Sequence, residues 1–253
     1  MSSRPQDLGT GEGEVLLSRG RFHARMARGD ADLAAAQALR GLAFFGPGGP
    51  ADSDPLDAGC RHVLIEDDAG RLLCCFRYLW LESSAAVGTS YSAQYYDLTR
   101  LETFGGPLLE LGRFCTRPGQ IDPDVLRLAW GSIAALVDRG GARLLFGCAS
   151  FSGTEPARYG AAFGMLRARH AAPERWKIGV KAAEVVRFDP GTGEARGALK
   201  LIPPLLRTYL GMGGWVSDHA VVDRQMNTLH VFTGVETAAI PPARSRALRA
   251  IAG

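Results

Sequence analysis

Apolar and polar residues alternate through Phe22-His23-Ala24-Arg25-Met26, the period-two pattern of a strand with one buried face. Asp30 then stands in an N-cap position ahead of an alanine-rich segment, which predicts a helix over 31–44. Gly, Pro and Asp crowd residues 46–57, a loop composition. Segments 62–66 and 72–81 flank Asp67-Asp68-Ala69-Gly70 and predict a hairpin. Further strands are predicted over 93–98, 109–115, 144–149 and 184–188, with a late pair over 215–222 and 228–235. Pro123 opens a helix to about residue 139, where Leu126, Ala129, Trp130, Ile133 and Val137 share a face. Helices are also predicted over 154–167, 202–211 and 243–250, and a turn-rich connection over 189–197. The pattern gives an α/β fold, a central mixed sheet flanked by helices, as one domain over 20–253 behind a flexible, glycine-rich arm, 1–19.

Composition narrows the classes. A chain of 253 residues, 46% hydrophobic, buries a full core. The formal charge of +3, with arginines scattered rather than clustered, leaves no electrostatic footprint for nucleic acid, yet suits an acidic partner docked on one face. Cys60, Cys74, Cys75, Cys115 and Cys148 lie in apolar contexts with no Cys-x-x-Cys spacing, which reads as reduced thiols and no metal site. The polar N-terminus lacks the apolar core of a signal peptide, and no apolar run approaches the ~20 residues of a membrane span. A cytoplasmic protein is expected. The segments 202–210 and 244–249 are the ones that suit peripheral contact with the inner membrane face.

Candidate chemistry begins in Leu109-Glu110-Leu111-Gly112-Arg113-Phe114-Cys115, where Glu110 and Arg113 interrupt an apolar strand. Charges there are costly unless paired or used. Arg77 interrupts Cys74-Cys75-Phe76-Arg77-Tyr78-Leu79-Trp80 in the same way, and Asp54 and Asp57 lie in the preceding loop. Two readings stay open for this set: a structural ion-pair network, or groups pointing into one cleft. His62 fits packing, hydrogen bonding or catalysis. Cys115 and Cys148 have no histidine nearby in sequence to activate them as acyl nucleophiles.

Leu39-Arg40 with Phe44, Asp54-x-x-Asp57, Arg77 and Glu110-Leu-Gly-Arg113-Phe114 resembles the pattern of the acyl-homoserine lactone synthases. The likeness is sharper to the bacterial ornithine–acyl carrier protein N-acyltransferases. It is carried by Tyr91-Ser-Ala-Gln-Tyr-Tyr96-Asp-Leu98, Glu110 to Cys115, Leu144 to Thr154, Pro203 to Tyr209, and Val222-Asp-Arg224 to Phe232. One departure stands out: Arg40-Gly41-Leu42-Ala43-Phe44 keeps the arginine and phenylalanine of the related pattern but loses its bulky middle.

The resemblance implies a GNAT-like acyltransferase fold with a mostly antiparallel, twisted sheet. It implies transfer of a 3-hydroxyacyl chain from acyl carrier protein to the α-amine of L-ornithine, the first step of ornithine lipid biosynthesis. Glu110 is then the expected base, with Arg113 its partner or a substrate ligand. Asp54 and Asp57 are expected to hold the acceptor's amines, and Arg77 or Arg113 its carboxylate. Arg40, Phe44, Tyr91, Ser92 and Tyr96 are expected to line the substrate pockets. Coenzyme A-using relatives carry a Gly-rich pyrophosphate loop after the central strand; here that place holds Thr116-Arg117-Pro118-Gly119-Gln120. The donor's phosphopantetheine is therefore expected from the carrier protein, no cofactor of the chain's own is expected, and Arg117, Arg127, Arg139 and Arg143 are the expected carrier contacts. Two alternatives remain: a lactone-synthase-like enzyme using S-adenosylmethionine, and a non-catalytic carrier- or lipid-binding protein.

Overall fold

A computed structural model describes residues 8, 10–120, 122–189 and 197–252. The strands, in chain order, are Val15–Arg19 (β1), Phe22–Met26 (β2), Arg61–Asp67 (β3), Leu72–Leu81 (β4), Tyr96–Asp97 (β5) and Leu108–Thr116 (β6). Leu144–Ser152 (β7), Gly179–Val180 (β8), Val185–Arg187 (β9), Trp215–Val216 (β10), His219–Asp223 (β11) and Thr228–Glu236 (β12) follow. The helices are Gly29–Phe45 (α1), Ser92–Tyr95 (α2), Pro123–Gly140 (α3), Gly160–His170 (α4), Ala198–Leu201 (α5), Pro204–Gly211 (α6) and Pro242–Ala252 (α7). Among the described residues no helix is long and apolar enough to cross a membrane.

The chain forms two compact units. The first contains the residues up to Trp80, Leu111–Ala142 and those from Pro242 on; the second contains Leu81–Glu110 and Arg143–Pro241. In the first, β1, β2, β3 and β4 pair in sequence order as antiparallel neighbours, and β4 is followed by β6. Phe22, Ala24 and Met26 face the core while His23 and Arg25 stay half-exposed, as the alternation predicts. Helix α3 buries Leu128, Ala129, Ile133 and Leu136. In the second unit β12 runs antiparallel to β7 over nine residue pairs, and β11 and then β9 follow on its other side. Strand β10 also pairs with β12, and β5 with β8 makes a separate two-stranded ribbon.

Four departures from the sequence reading have local causes. The described part of the supposed arm is ordered from Thr10: Val15–Arg19 is a strand, turned back onto β2 by Gly20 at φ +56° in a two-residue loop. The rest of that arm, and most of the connection at 189–197, lie outside the described residues. Asp30 sits inside α1 rather than capping it; Asp32 instead accepts the Arg28 amide at 2.6 Å and the Arg25 guanidinium. The strand expected over 93–98 is the short helix α2 followed by two residues of β5. The hydroxyl of Ser90 caps this turn by accepting the Ala93 amide at 3.2 Å, and Lys181 Nζ donates to the Ala93 carbonyl. The segment after Thr154 turns first as a 3-10 helix, Pro156–Tyr159, before α4 begins.

Candidate active site

Arg40, Arg77 and Arg113 alternate with Asp52, Asp54 and Asp57 in a closed ring within the first unit. Arg40 Nε donates to Asp52 at 2.7 Å, and Arg113 reaches Asp52 through Nε at 2.9 Å and Asp54 through Nη2 at 2.8 Å. Arg77 continues from Asp54 at 2.8 Å to Asp57 at 2.6 Å, and Arg40 Nη1 closes the circuit on Asp57 at 2.9 Å. Three positive and three negative groups cancel. Arg40 is 1% and Arg77 2% exposed, so water screens these pairs little. Burial alone would raise the Asp57 and Asp54 carboxyls. It is outweighed at Asp57 by hydrogen bonds from Arg40, Gln37 and Arg77, and at Asp54 by the Leu56 amide and Arg77, and both stay below the usual carboxylate range.

Local sequence builds the ring. Asp54 caps the 3-10 turn Pro55–Gly59, accepting the Leu56 amide at 2.9 Å, and Asp57 reaches back to the Asp54 amide. Arg113 carries φ +53°, a left-handed conformation that breaks the regular alternation of β6. The loss of bulk at Gly41 has its explanation here. A Cβ on Gly41 would lie 2.2 Å from the Pro50 carbonyl oxygen and 3.0 Å from the Ala51 Cα, because the loop carrying Asp52 crosses α1 at that point. Phe44 packs half-buried against the cluster of Leu39, Leu64, Leu72, Cys75 and Cys115.

Glu110 lies in the second unit, 5% exposed. Its Oε2 accepts the Tyr91 amide at 2.9 Å; its Oε1 accepts the Ser92 amide at 2.7 Å and the Ser92 hydroxyl at 2.6 Å. The carboxylate thus holds the first turn of α2 by two backbone donors and one side chain. Ser92 Oγ lies 3.5 Å from Cys148 Sγ. Burial, with Cys148 and Glu110 nearby, pushes the Tyr209 hydroxyl well up. The sequence reading brought Glu110, Tyr91 and Ser92 forward; Tyr209 appeared there only inside a longer motif. Tyr96 is fully buried, its hydroxyl donating to the His230 carbonyl at 2.8 Å.

The four arginines expected to meet a carrier protein all have partners within the chain. Arg117 Nε donates to the Leu72 carbonyl at 2.8 Å, Arg127 pairs with Asp124 at 2.6 Å and Arg139 with Glu14 at 2.9 Å. The Arg143 side chain packs against Gly106, and its amide donates to the Pro107 carbonyl. Asp52, the sixth member of the ring, was not singled out from sequence. Its place in Ala51-Asp52-Ser53-Asp54, just ahead of the pair that was, is the signal that would have found it.

A family model described as an acetyltransferase (GNAT) domain matches residues 45–131. FeeM, an N-acyl amino acid synthase from uncultured soil microbes, shares the fold at a TM-score of 0.52 and 10% identity, over 86% of this chain and 93% of its own. The mostly antiparallel sheets, the flanking helices and these matches give the chain a GNAT-like fold. L-ornithine N(alpha)-acyltransferase of Rhodobacter capsulatus is 32% identical over 238 residues, 87% of this chain and 91% of that relative. Its namesake in Brucella abortus is 31% identical over 241 residues, 86% and 85% of the two chains. The chain belongs to the L-ornithine N(alpha)-acyltransferase family.

Proposed function

We propose that the chain transfers a 3-hydroxyacyl group from acyl carrier protein to the α-amine of L-ornithine, giving lyso-ornithine lipid. The observation that carries this reading is family membership extending over 87% of the chain. The reaction forms a C–N bond and breaks a C–S bond; the amine loses a proton and the carrier regains its thiol. At pH 7 an α-amine of pKa about 8 costs roughly 1.4 kcal/mol to deprotonate, against about 4.6 kcal/mol for a side-chain amine of pKa about 10.4. The α-position is therefore the easier nucleophile. Glu110 takes the proton directly or through water, and its hydrogen bonds to Tyr91 and Ser92 fix the carboxylate in one orientation.

The ring supports a positioning role for Asp54, Asp57, Arg77 and Arg113, since each of these charges already meets an opposite one. Helix α3 supports a carrier-tethered donor. Asp122 caps it by accepting the Asp124 amide at 2.8 Å, and Pro123 removes the next donor, so its N-terminus offers little to a pyrophosphate. Arg117, Arg127, Arg139 and Arg143 then meet the carrier's acidic surface, and the carrier brings the phosphopantetheine. Arg244 and Arg246, exposed on α7, suit an anionic membrane face that receives the lipid.

The test incubates the purified chain with 3-hydroxyacyl carrier protein and either ornithine or S-adenosylmethionine, with products read by mass spectrometry. N-acylornithine is expected, and a lactone or no product overturns the reading. Glu110→Gln is expected to keep the far-UV circular dichroism spectrum and lower turnover at least a hundredfold. Unchanged turnover would remove Glu110 from the chemistry.

A further inference from the structure

Strand register puts a continuous set of side chains on one face of the second unit's sheet. Phe232 stands opposite Cys148 and His230 opposite Ser150 across β12 and β7, and Val221 stands opposite His230 across β11 and β12. Directly opposed residues share a face, as do residues two apart on a strand, so Cys148, Phe232, His230 and His219 lie together. Helix α2 and β5 cover that face. Ser92 Oγ, which donates to Glu110, lies 3.5 Å from Cys148 Sγ. The Tyr96 ring meets His219, His230 and Phe232 at 5.3, 5.6 and 5.8 Å.

Both histidines present a bare acceptor. The single hydrogen of the Tyr96 hydroxyl goes to the His230 carbonyl at 2.8 Å, so its oxygen accepts from His230 Nδ1 at 3.1 Å. His219 Nδ1 donates to the Asp218 carboxylate at 2.8 Å. The lone pair of each neutral ring is then on Nε2, and neither Nε2 has a hydrogen-bond partner among the described residues. His219 is fully buried and His230 is 2% exposed. Burial lowers both pKa values, that of His230 to about 4, so both rings are uncharged at pH 7. A buried acceptor left without a donor is rare and costly. Beside His230 the walls are aromatic, with Tyr95 at 5.0 Å and Tyr96 at 5.6 Å. Tyr95 is half-buried, and among the described residues its side chain makes ring contacts with Tyr91 and His230 but no hydrogen bond.

An aromatic wall with one buried, neutral acceptor suits an acyl chain that carries one hydroxyl. We propose that His230 reads the 3-hydroxyl of the donor chain, its Nε2 accepting that hydroxyl as the Tyr95 ring turns aside, with the thioester lying toward Ser92 and Glu110. His219 stands one strand farther from Cys148, so His230 is the reader. The inference rests on the 3-hydroxyacyl reading above and assigns that selectivity to one side chain. A hydroxylated chain pairs Nε2, whereas an unsubstituted chain leaves it buried and unpaired.

The experiment measures kcat/KM for ornithine acylation with 3-hydroxymyristoyl and with myristoyl carrier protein, and reads the ratio of the two. A general loss of folded or active protein lowers both rates and leaves that ratio alone. Wild type is expected to favour the hydroxylated donor by roughly tenfold or more. His230→Phe keeps an aromatic ring and the carbonyl that Tyr96 bonds but removes the acceptor, and is expected to bring the ratio near unity. His230→Leu is expected to do the same and serves if the first variant does not fold. His219→Leu is expected to keep the wild-type ratio. If wild type favours the hydroxylated donor and the His230 variants keep that preference, or if His219→Leu alone removes it, the His230 inference falls and the 3-hydroxyacyl reading stands. If wild type acylates ornithine from both donors equally, the 3-hydroxyacyl reading falls and takes the inference with it. If wild type makes no N-acylornithine, the ornithine reading falls. Calorimetric binding of the two carriers then judges His230 alone, and a preference unchanged in His230→Phe, or none in wild type, overturns it.

Discussion

Asp57 is the residue on which most of the ring depends, because it faces two buried guanidinium groups as well as the Gln37 amide. Asp57→Asn removes the negative charge and leaves Arg40 and Arg77 in excess, at 1% and 2% exposure. Removing one partner of a buried pair costs about 3–5 kcal/mol, far above the 0–1 kcal/mol typical of surface pairs. Urea denaturation of Asp57→Asn is expected to show a loss in that range, whereas Asp124→Asn, whose partners Arg19 and Arg127 are exposed, shifts the midpoint little. Gly41 makes a sharper test, since it carries no charge. Alanine is a better helix former, yet its Cβ would meet backbone at Pro50 and Ala51, so the loop bearing Asp52 must move. Gly41→Ala is expected to destabilise the chain and, through Asp52, to loosen both Arg40 and Arg113. A gain in thermal midpoint would show that the loop yields without disturbing the ring.

At the scale of elements, β6 and α3 divide what the chain spells out locally from what the fold supplies. Helix α3 was legible from Pro123, but its buried face runs through Val125, Leu128, Ala129, Ile133 and Leu136, while Leu126, Trp130 and Val137 of the expected stripe are half-buried. Its Asp122 cap allows a clean test. Asp122→Ser keeps a capping oxygen while removing a charge, so stability is expected to change by less than about 0.5 kcal/mol. If that charge helps to exclude a free coenzyme A thioester, its rate rises severalfold while the rate with the carrier thioester holds; equal rates in both proteins assign the exclusion elsewhere. Strand β6 was equally legible in its bounds but not in its geometry. Arg113 takes a positive φ there, a conformation that a non-glycine residue does not announce in sequence. The strand reading held for β2, β3 and β4 but misled at 93–98 because α2 is held from outside itself, by Glu110, Ser90 and Lys181. The ring was half legible: buried charges marked Arg77, Arg113, Asp54 and Asp57 as a set, but sequence carries no information on which arginine meets which aspartate. Asp52 and Tyr209 acquire their meaning from neighbours distant in the chain.

Across the whole molecule, titration links burial to stability. His230 is 2% exposed and its pKa is lowered to about 4, by burial first and by His219 as well, against opposition from Asp223. His219 in the same unit, and His62 in the other, are lowered too, each chiefly by burial. An unfolded histidine binds its proton near pH 6.5. Between pH 6.5 and about 4 the unfolded chain therefore takes up protons that the folded chain refuses, and stability falls as pH falls. For His230 alone the full drop is about 3 kcal/mol. The lowered carboxyls of Asp54 and Asp57 act in a later window. Their contribution is complete above the usual carboxylate range and is lost only as pH falls through their depressed folded values. Two successive acid limbs are expected in the urea midpoint, one above pH 4 and one below it. His230→Gln is expected to flatten the upper limb and leave the lower one, and Asp57→Asn to weaken the lower limb while sparing the upper. An upper limb unchanged by His230→Gln would assign that proton uptake to the other lowered histidines, His62, His170 and His219, instead.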